Sequence, residues 1–302
     1  MSGYTRAILI YNTKSGHSHP YKQQVIKAHF KAHHIDLEIH EVPKPQKEID
    51  EIISKGILNG IDLIIAAGGD GTISLVCNAL VGTSLPLGIL PLGTGNLLAK
   101  ELKIPINLQK ALETITLDNP KIMKLDTFHL DGNHYVLNLS VGVSPKVMAL
   151  TPPEEKQRLG VIAYVIHIFQ QLLGLELHRF EIEYDHNRIS TLASEILITN
   201  SRTLGFEILK WSNVISLDDG KLDLFIIRAK NLFDILGFLF SILRKKETGP
   251  VIRFLQFEEY CRINSRSVMR TQADGDIVGQ TPVEVHINPL SLNIIIGSSE
   301  IN

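Results

Sequence analysis

Residues 63–72 read LIIAAGGDGT: five apolar residues, then three glycines around a single carboxylate, Asp70. A short run that is apolar on both faces is what a central strand of a parallel sheet requires. The next stretch, Ile73 to Leu80, repeats its apolar positions at helical spacing, so the glycines occupy a strand-to-helix turn. At such a turn the backbone can approach a ligand closely, and the first amides of the helix face an anion. A carboxylate in a phosphate cradle would repel the phosphate unless a cation or a substrate hydroxyl also sat there. The plain alternative is a tight turn with a solvated Asp70.

On either side of this turn the chain alternates strand and helix patterns. Residues 7–11 form an apolar strand ending in NTKSG, 20–34 a helix, 35–42 a half-buried strand alternating at Ile35, Leu37 and Ile39, and 45–58 a helix. After the helix at 72–81 come a short strand, a second glycine turn (LGTGN, 92–96), and helices from Leu97 and over 107–117. The rhythm predicts a mostly parallel sheet with helices on both faces, with ligands beyond the carboxyl ends of the strands. Loops 12–16, 68–72 and 93–96 fit that place.

From Asp126 the pattern changes to strands. TFHLDGNHYVLNLSVGV (127–143) reads as two strands around an Asp-Gly turn, and strand-like runs follow at 180–184, 193–199, 222–228, 254–263, 283–287 and 292–296. Further Asp-Gly turns lie at 219–220 and 274–275, and helical patterns at 156–174 and 231–246. The expected fold class is therefore an α/β domain over 1–125 joined to an all-β domain over 126–302, an antiparallel β-sandwich with a few helices. With no long linker, a cleft between the two is expected.

Composition narrows the function. The 302 residues carry a formal charge of −2, which gives no basic field for nucleic acid. The two cysteines, Cys77 and Cys261, are far apart and suggest a reducing compartment. No signal-like or transmembrane run is evident, which points to a cytoplasmic protein. The segment NLFDILGFLFSILRKK (231–246) is apolar around most of its helical circumference and ends in Arg244, Lys245 and Lys246. It is either a core helix or a helix that makes transient contact with an anionic membrane surface.

Four clusters could carry chemistry beyond the first turn. In 11–16, Asn12, Lys14 and Ser15 stand beside Gly16 as a nucleotide contact or an ordinary polar turn. The second turn, 92–96, aims more N–H groups at the same sheet edge. Asp218 and Asp219 before Gly220 suit a hard cation such as magnesium, or a hairpin turn. Asp274 and Asp276 flank Gly275, where a turn is again the simpler reading. A Walker pattern is absent, G-x-G-x-x-G is not matched, and no serine nucleophile elbow occurs. The pairs His29/His33 and His17/His19 imply no third metal ligand.

In this order, NTKSG, GGDGT, GTGNLLA, KLD (124–126), DDGKLDL and ADGD resemble the catalytic domain of the diacylglycerol kinase family, the bacterial soluble lipid kinases in particular. GGDG alone is shared with NAD kinases and phosphofructokinases; GTGN and the opening N-x-x-S-G favour the lipid kinases. The resemblance implies an ATP- and magnesium-dependent kinase acting on a hydroxyl of a diacylglycerol-like or sphingoid-like lipid. It implies ATP contacts from Asn12, Thr13, Lys14, Ser15 and Gly16, from Gly68, Gly69, Asp70, Gly71 and Thr72, and from Thr94. Asp70 and Asp126 would organise the magnesium and its waters. Asp219 would bind a second, structural magnesium with the carbonyls of Ser216 and Lys221, and Asp276 would be the general base. Three positions depart from the family pattern: Thr13 for the usual Pro, Leu97 where many members have Asp, and Asp276 for the usual Glu. The alternatives are an NAD kinase-like enzyme or a homologue that binds nucleotide or lipid without catalysis.

Overall fold

The structure is a computed structural model that describes residues 3–16, 20–42, 46–142, 176–202, 215–231, 233–234, 237, 249 and 251–297. The sequence-predicted helix at 156–174 lies outside the described residues, as do most of 231–246 and both His17 and His19. The chain divides into two compact units, one comprising residues to Leu125 together with those from Leu290, the other Asp126–Pro289.

The first unit is built on a parallel sheet. Strands β1 (Arg6–Tyr11), β2 (Asp36–Glu41), β3 (Leu63–Gly68) and β4 (Leu87–Pro91) lie in the order β2-β1-β3-β4. All six residues of β3 are buried, as its apolar run requires. The intervening helices are α1 (Pro20–Ala32), α2 (Gln46–Leu58), α3 (Asp70–Leu80), α4 (Leu97–Glu101) and α5 (Leu108–Ile115). Helix α3 buries Ile73, Val76, Cys77 and Leu80, one stripe of a 3.6-residue period. Asn107 caps α5 by accepting the Lys110 N–H at 3.1 Å. Because β2 lies to one side of β1 and β3 to the other, the chain reverses its winding between β1 and β3. The loops after these two strands flank such a switch point, where open α/β sheets bind ligands.

The second unit is a sandwich. One sheet contains β7 (Asn138–Gly142), β10 (Glu195–Thr199), β11 (Leu222–Ile227), β12 (Ile252–Phe257), β14 (Arg270–Ala273) and β15 (Asp276–Gln280). They lie in the order β12-β11-β10-β7-β14-β15, all antiparallel. The facing layer holds β8 (His178–Tyr184), β9 (Asn187–Ala193), β13 (Tyr260–Ser265) and the first half of β16 (Val283–Ile295), with the hairpin β5 (Ile122–Leu130) and β6 (Asn133–Tyr135). Alternate residues point inward from each sheet. Leu139, Ile196, Ile198, Leu224 and Ile226 meet Phe128, Phe180, Ile182, Ile263 and Val285 in one core.

Three expectations are corrected. The run 254–263 is two strands, because Asp185 accepts the N–H groups of Glu258, Glu259 and Tyr260 and turns the chain there. The runs 283–287 and 292–296 are one strand, β16, which continues through Pro289 and a left-handed Leu290 (φ 48°). Past that point β16 pairs in parallel with β4, at Ile294 and Leu87. Its last residues therefore group with the first unit, so the second begins at Asp126 but does not extend to residue 302.

Candidate active site

The three loops of the first unit gather at the carboxyl edge of its sheet. The Asn12 N–H donates to the Ala67 carbonyl (2.9 Å) and the Leu92 N–H to the Gly68 carbonyl (2.8 Å), so each loop starts from a paired strand end. Side chains then lace the loops together. Asn12 Nδ2 donates to Thr72 Oγ1 (2.8 Å), while Asn12 Oδ1 accepts the Lys14 N–H (2.9 Å). Ser15 Oγ donates to the Leu92 carbonyl at 3.2 Å. Gly69 and Gly93 pack backbone to backbone; a Cβ on Gly93 would strike the Gly69 Cα.

Asp70 ties the two glycine turns. Its Oδ1 accepts the Leu97 N–H (2.6 Å) and its Oδ2 the Asn96 N–H (2.9 Å). The carboxylate thus caps the start of α4 from 26 residues away. The residue at the cap itself, Asn96, is left-handed (φ 51°, ψ 48°) and makes no side-chain cap. Asn96 instead closes its own turn, accepting the Gly93 N–H (3.0 Å) and donating to the Gly93 carbonyl (2.8 Å). Sequence reasoning did not single out Asn96. The available signal was an Asn after a glycine turn, since Asn tolerates the left-handed region. With Asn12 and Asp70 so engaged, the exposed members of the set are Thr13, Lys14, Gly16, Gly71 and Thr94.

In the second unit Asp126 and the 216–221 turn come together. Asp126 is fully buried. Its N–H donates to the Leu217 carbonyl (2.7 Å), its Oδ2 accepts the Gly220 N–H (2.7 Å), and its carbonyl accepts from Asn200 Nδ2 (2.9 Å). Asp219 Oδ1 accepts the Lys221 N–H at 3.1 Å, and Ser216 Oγ donates to Asp218. Partial desolvation holds the Asp219 carboxyl above the ordinary carboxylate range; Asp218 pushes the same way, while Lys221 pulls down through its N–H and its charge. A cation would relieve that desolvation. The Asp219 carboxylate and main-chain carbonyls such as those of Ser216 and Lys221 are hard oxygen donors of the kind magnesium takes, so the residue types present suit such an ion.

Asp276 opens β15 opposite Ala273 and is exposed. The preceding turn, Asp274 (φ 45°) and Gly275 (φ 97°), has both residues left-handed, the geometry an Asp-Gly hairpin favours. Sequence reasoning assigned Asp274 to the turn alone. Its carboxylate also accepts three successive amides, those of Val136, Leu137 and Asn138, each at 2.9 Å. Burial raises the Asp274 carboxyl above its ordinary range; the three amides oppose this, and Asp276 adds to it. Tyr135, stacked on Phe128, has its phenol pushed up to about 12, first by burial and then by Asp274, Asp276 and Asp131.

The model of the diacylglycerol kinase catalytic domain matches residues 6–128, and that of the YegS C-terminal NAD kinase beta sandwich-like domain matches 138–296. The chain belongs to the diacylglycerol kinase catalytic-domain family. It is 30% identical to the diacylglycerol kinase of Bacillus subtilis over 75% of each chain. It is 32% identical to the uncharacterized protein sll0036 of Synechocystis; that match covers 78% of this chain and 55% of the relative, so this chain spans about half of that protein's length. A solved structure from Bacillus anthracis strain Sterne superposes with a TM-score of 0.82 at 24% identity, covering 100% of this chain and 98% of that one.

As a diacylglycerol kinase relative, this chain is a lipid kinase, a phosphotransferase. The chain's departure at Leu97 acquires a structural meaning: the Leu97 N–H is one of the two donors to Asp70, a role any residue but proline allows there. His29 Nε2 bonds Thr116 Oγ1 at 2.9 Å and its ring stacks on His33. Among the described residues no three His, Cys, Asp or Glu side chains form a metal-binding group, and no helix is long and apolar enough to cross a membrane.

Proposed function

We propose that this kinase transfers the γ-phosphoryl group of ATP to a hydroxyl of a diacylglycerol-like or sphingoid-like lipid, with magnesium. The observation that carries the reading is the lacing of three strand-end loops through Asn12 and Asp70. It leaves backbone amides, Lys14 and Thr94 at the carboxyl edge of a parallel sheet. Phosphoryl transfer needs chiefly positioning and charge neutralisation. Thr13 to Gly16, Gly68 to Thr72 and Thr94 would hold the phosphates. Bound magnesium would neutralise charge on the transferring group, with Asp70 and Asp126 organising its waters, and Asp219 with the Ser216 and Lys221 carbonyls would hold a structural ion. Asp276 would take the proton of the attacking hydroxyl, which typically contributes about 10²–10⁴-fold. The likeness of residues 138–296 to an NAD kinase sandwich makes NAD the acceptor to test against. Radiolabelled ATP is offered with diacylglycerol, sphingosine, phosphatidylglycerol or NAD. Label in a lipid supports the reading; label in NAD or in no acceptor refutes it.

A further inference from the structure

The turn that presents Asp276 is held by a side chain with no part in the chemistry proposed so far. Gln272, on β14, is buried, and every face of its amide is engaged. Nε2 donates to Ser140 Oγ (3.0 Å) and to Asn138 Oδ1 (3.2 Å), and Oε1 accepts the Gly275 N–H (3.2 Å). Gln272 stands opposite Ser140 in the β7–β14 register. The pairing of β14 with β15 shifts between Thr271 and Gln272. Such irregularities re-aim a side chain. Asn138 is gripped twice, its N–H by Asp274 and its side chain by Gln272. The Asp274–Gly275 turn is thus fixed to β7 from both of its residues, and Asp276 follows immediately.

We propose that Gln272 is a positioning residue of the phosphoryl transfer: by clasping Gly275 to Ser140 and Asn138 it fixes where the Asp276 carboxylate stands. The inference rests on Asp276 being the base. A neutral amide suits the place. It donates on one side and accepts on the other, which a carboxylate cannot do, and it adds no third negative charge beside Asp274 and Asp276. Loss of the clasp frees the Gly275 N–H and lets the turn shift. A misplacement of about 1 Å can cost on the order of 10²-fold in rate.

The test is a double-mutant cycle between Gln272→Ala and Asp276→Ala, read as kcat on the lipid that takes the label in the radiolabelled-ATP assay, with the KM for ATP and melting of every variant. Gln272→Ala is expected to lower kcat by roughly 10–100-fold with little change in the KM for ATP, and to add less than about twofold in the Asp276→Ala background, as residues acting as one unit do. An equal loss in both backgrounds, or no loss in either, overturns the positioning role. Wild-type kcat in Asp276→Ala overturns the base instead, and is seen independently of Gln272. If Gln272→Ala melts below the assay temperature, Ser140→Ala asks the same question from the far end of the clasp. A several-fold loss of kcat that vanishes with Asp276→Ala supports the proposal, and an unchanged kcat refutes it.

Discussion

Asp70→Asn should weaken the protein before any ligand is added. The carboxylate accepts two amides, one on each oxygen, at 2.6 and 2.9 Å. An asparagine can accept only one of them; its NH2 would then face the other N–H, donor against donor. A hydrogen bond to a charged group is worth about 1.5–3 kcal/mol, and its neutral counterpart about half that. Asp70 is half-buried, so water repairs part of the loss, leaving about 2–3 kcal/mol. At roughly 3 °C per kcal/mol for a unit of this size, melting should fall by about 6–9 °C. The assay is thermal melting of wild type and variant in chelator without nucleotide, where a magnesium role contributes nothing. Gly95→Ala is the matching perturbation, because its Cβ would collide with Asp70 Oδ2; it should lower melting in the same direction. If Asp70→Asn melts within about 1 °C of wild type yet has lost activity, the clasp holds nothing and the carboxylate acts only on metal or substrate.

Asp219→Ala should abolish the rise of melting temperature with magnesium that the wild type shows, as mass action at one site requires; equal magnesium dependence would exclude the ion from the 216–221 turn. Burial, and secondarily His33, hold the His29 ring below its ordinary value of 6.5. The unfolded chain therefore takes up the proton first as pH falls through about 6.5, and stability declines until pH passes below the native value. His29→Gln should remove that part of the slope in urea unfolding between pH 8 and 5. Charge reversal at Arg244, Lys245 and Lys246 should reduce flotation with anionic vesicles by well over tenfold, at roughly 1 kcal/mol per cation; unchanged flotation would leave 231–246 without a membrane role.

The elements that were legible in the sequence are those whose pattern is local. The apolar run of β3 and the stripe of α3 are periodicities of the chain itself, and each glycine turn falls between a strand and a helix. The illegible parts depend on partners far away in sequence. Asp185 makes the turn at 258–260, Asp274 holds 136–138, and Asp70 caps α4. In each case one carboxylate gathers two or three amides of another segment, and nothing in those segments marks them as receivers. The exposed edge strand β9 was missed for a related reason: NRISTLA lacks an apolar pattern of its own and is organised by pairing with β8. Among the proposed site residues, Asn12 and Asp70 stand out in the sequence as polar residues beside glycines, but their hydrogen bonds to other loops were hidden.

Strand β16 makes the order of synthesis matter. The first unit contains residues to Leu125, yet Leu292, Ile294 and Ile295, all buried, come from more than 160 residues later. Until they arrive, β4 is an open edge whose unpaired amides invite other chains. A nascent chain that has made every glycine turn would still carry this edge while the whole sandwich is translated and folded. A fragment ending at Leu125 should consequently be insoluble, and adding residues 290–297 through a short linker should rescue it. The loops that would receive the phosphates are written before the sandwich, but their scaffold is completed by a strand written after it.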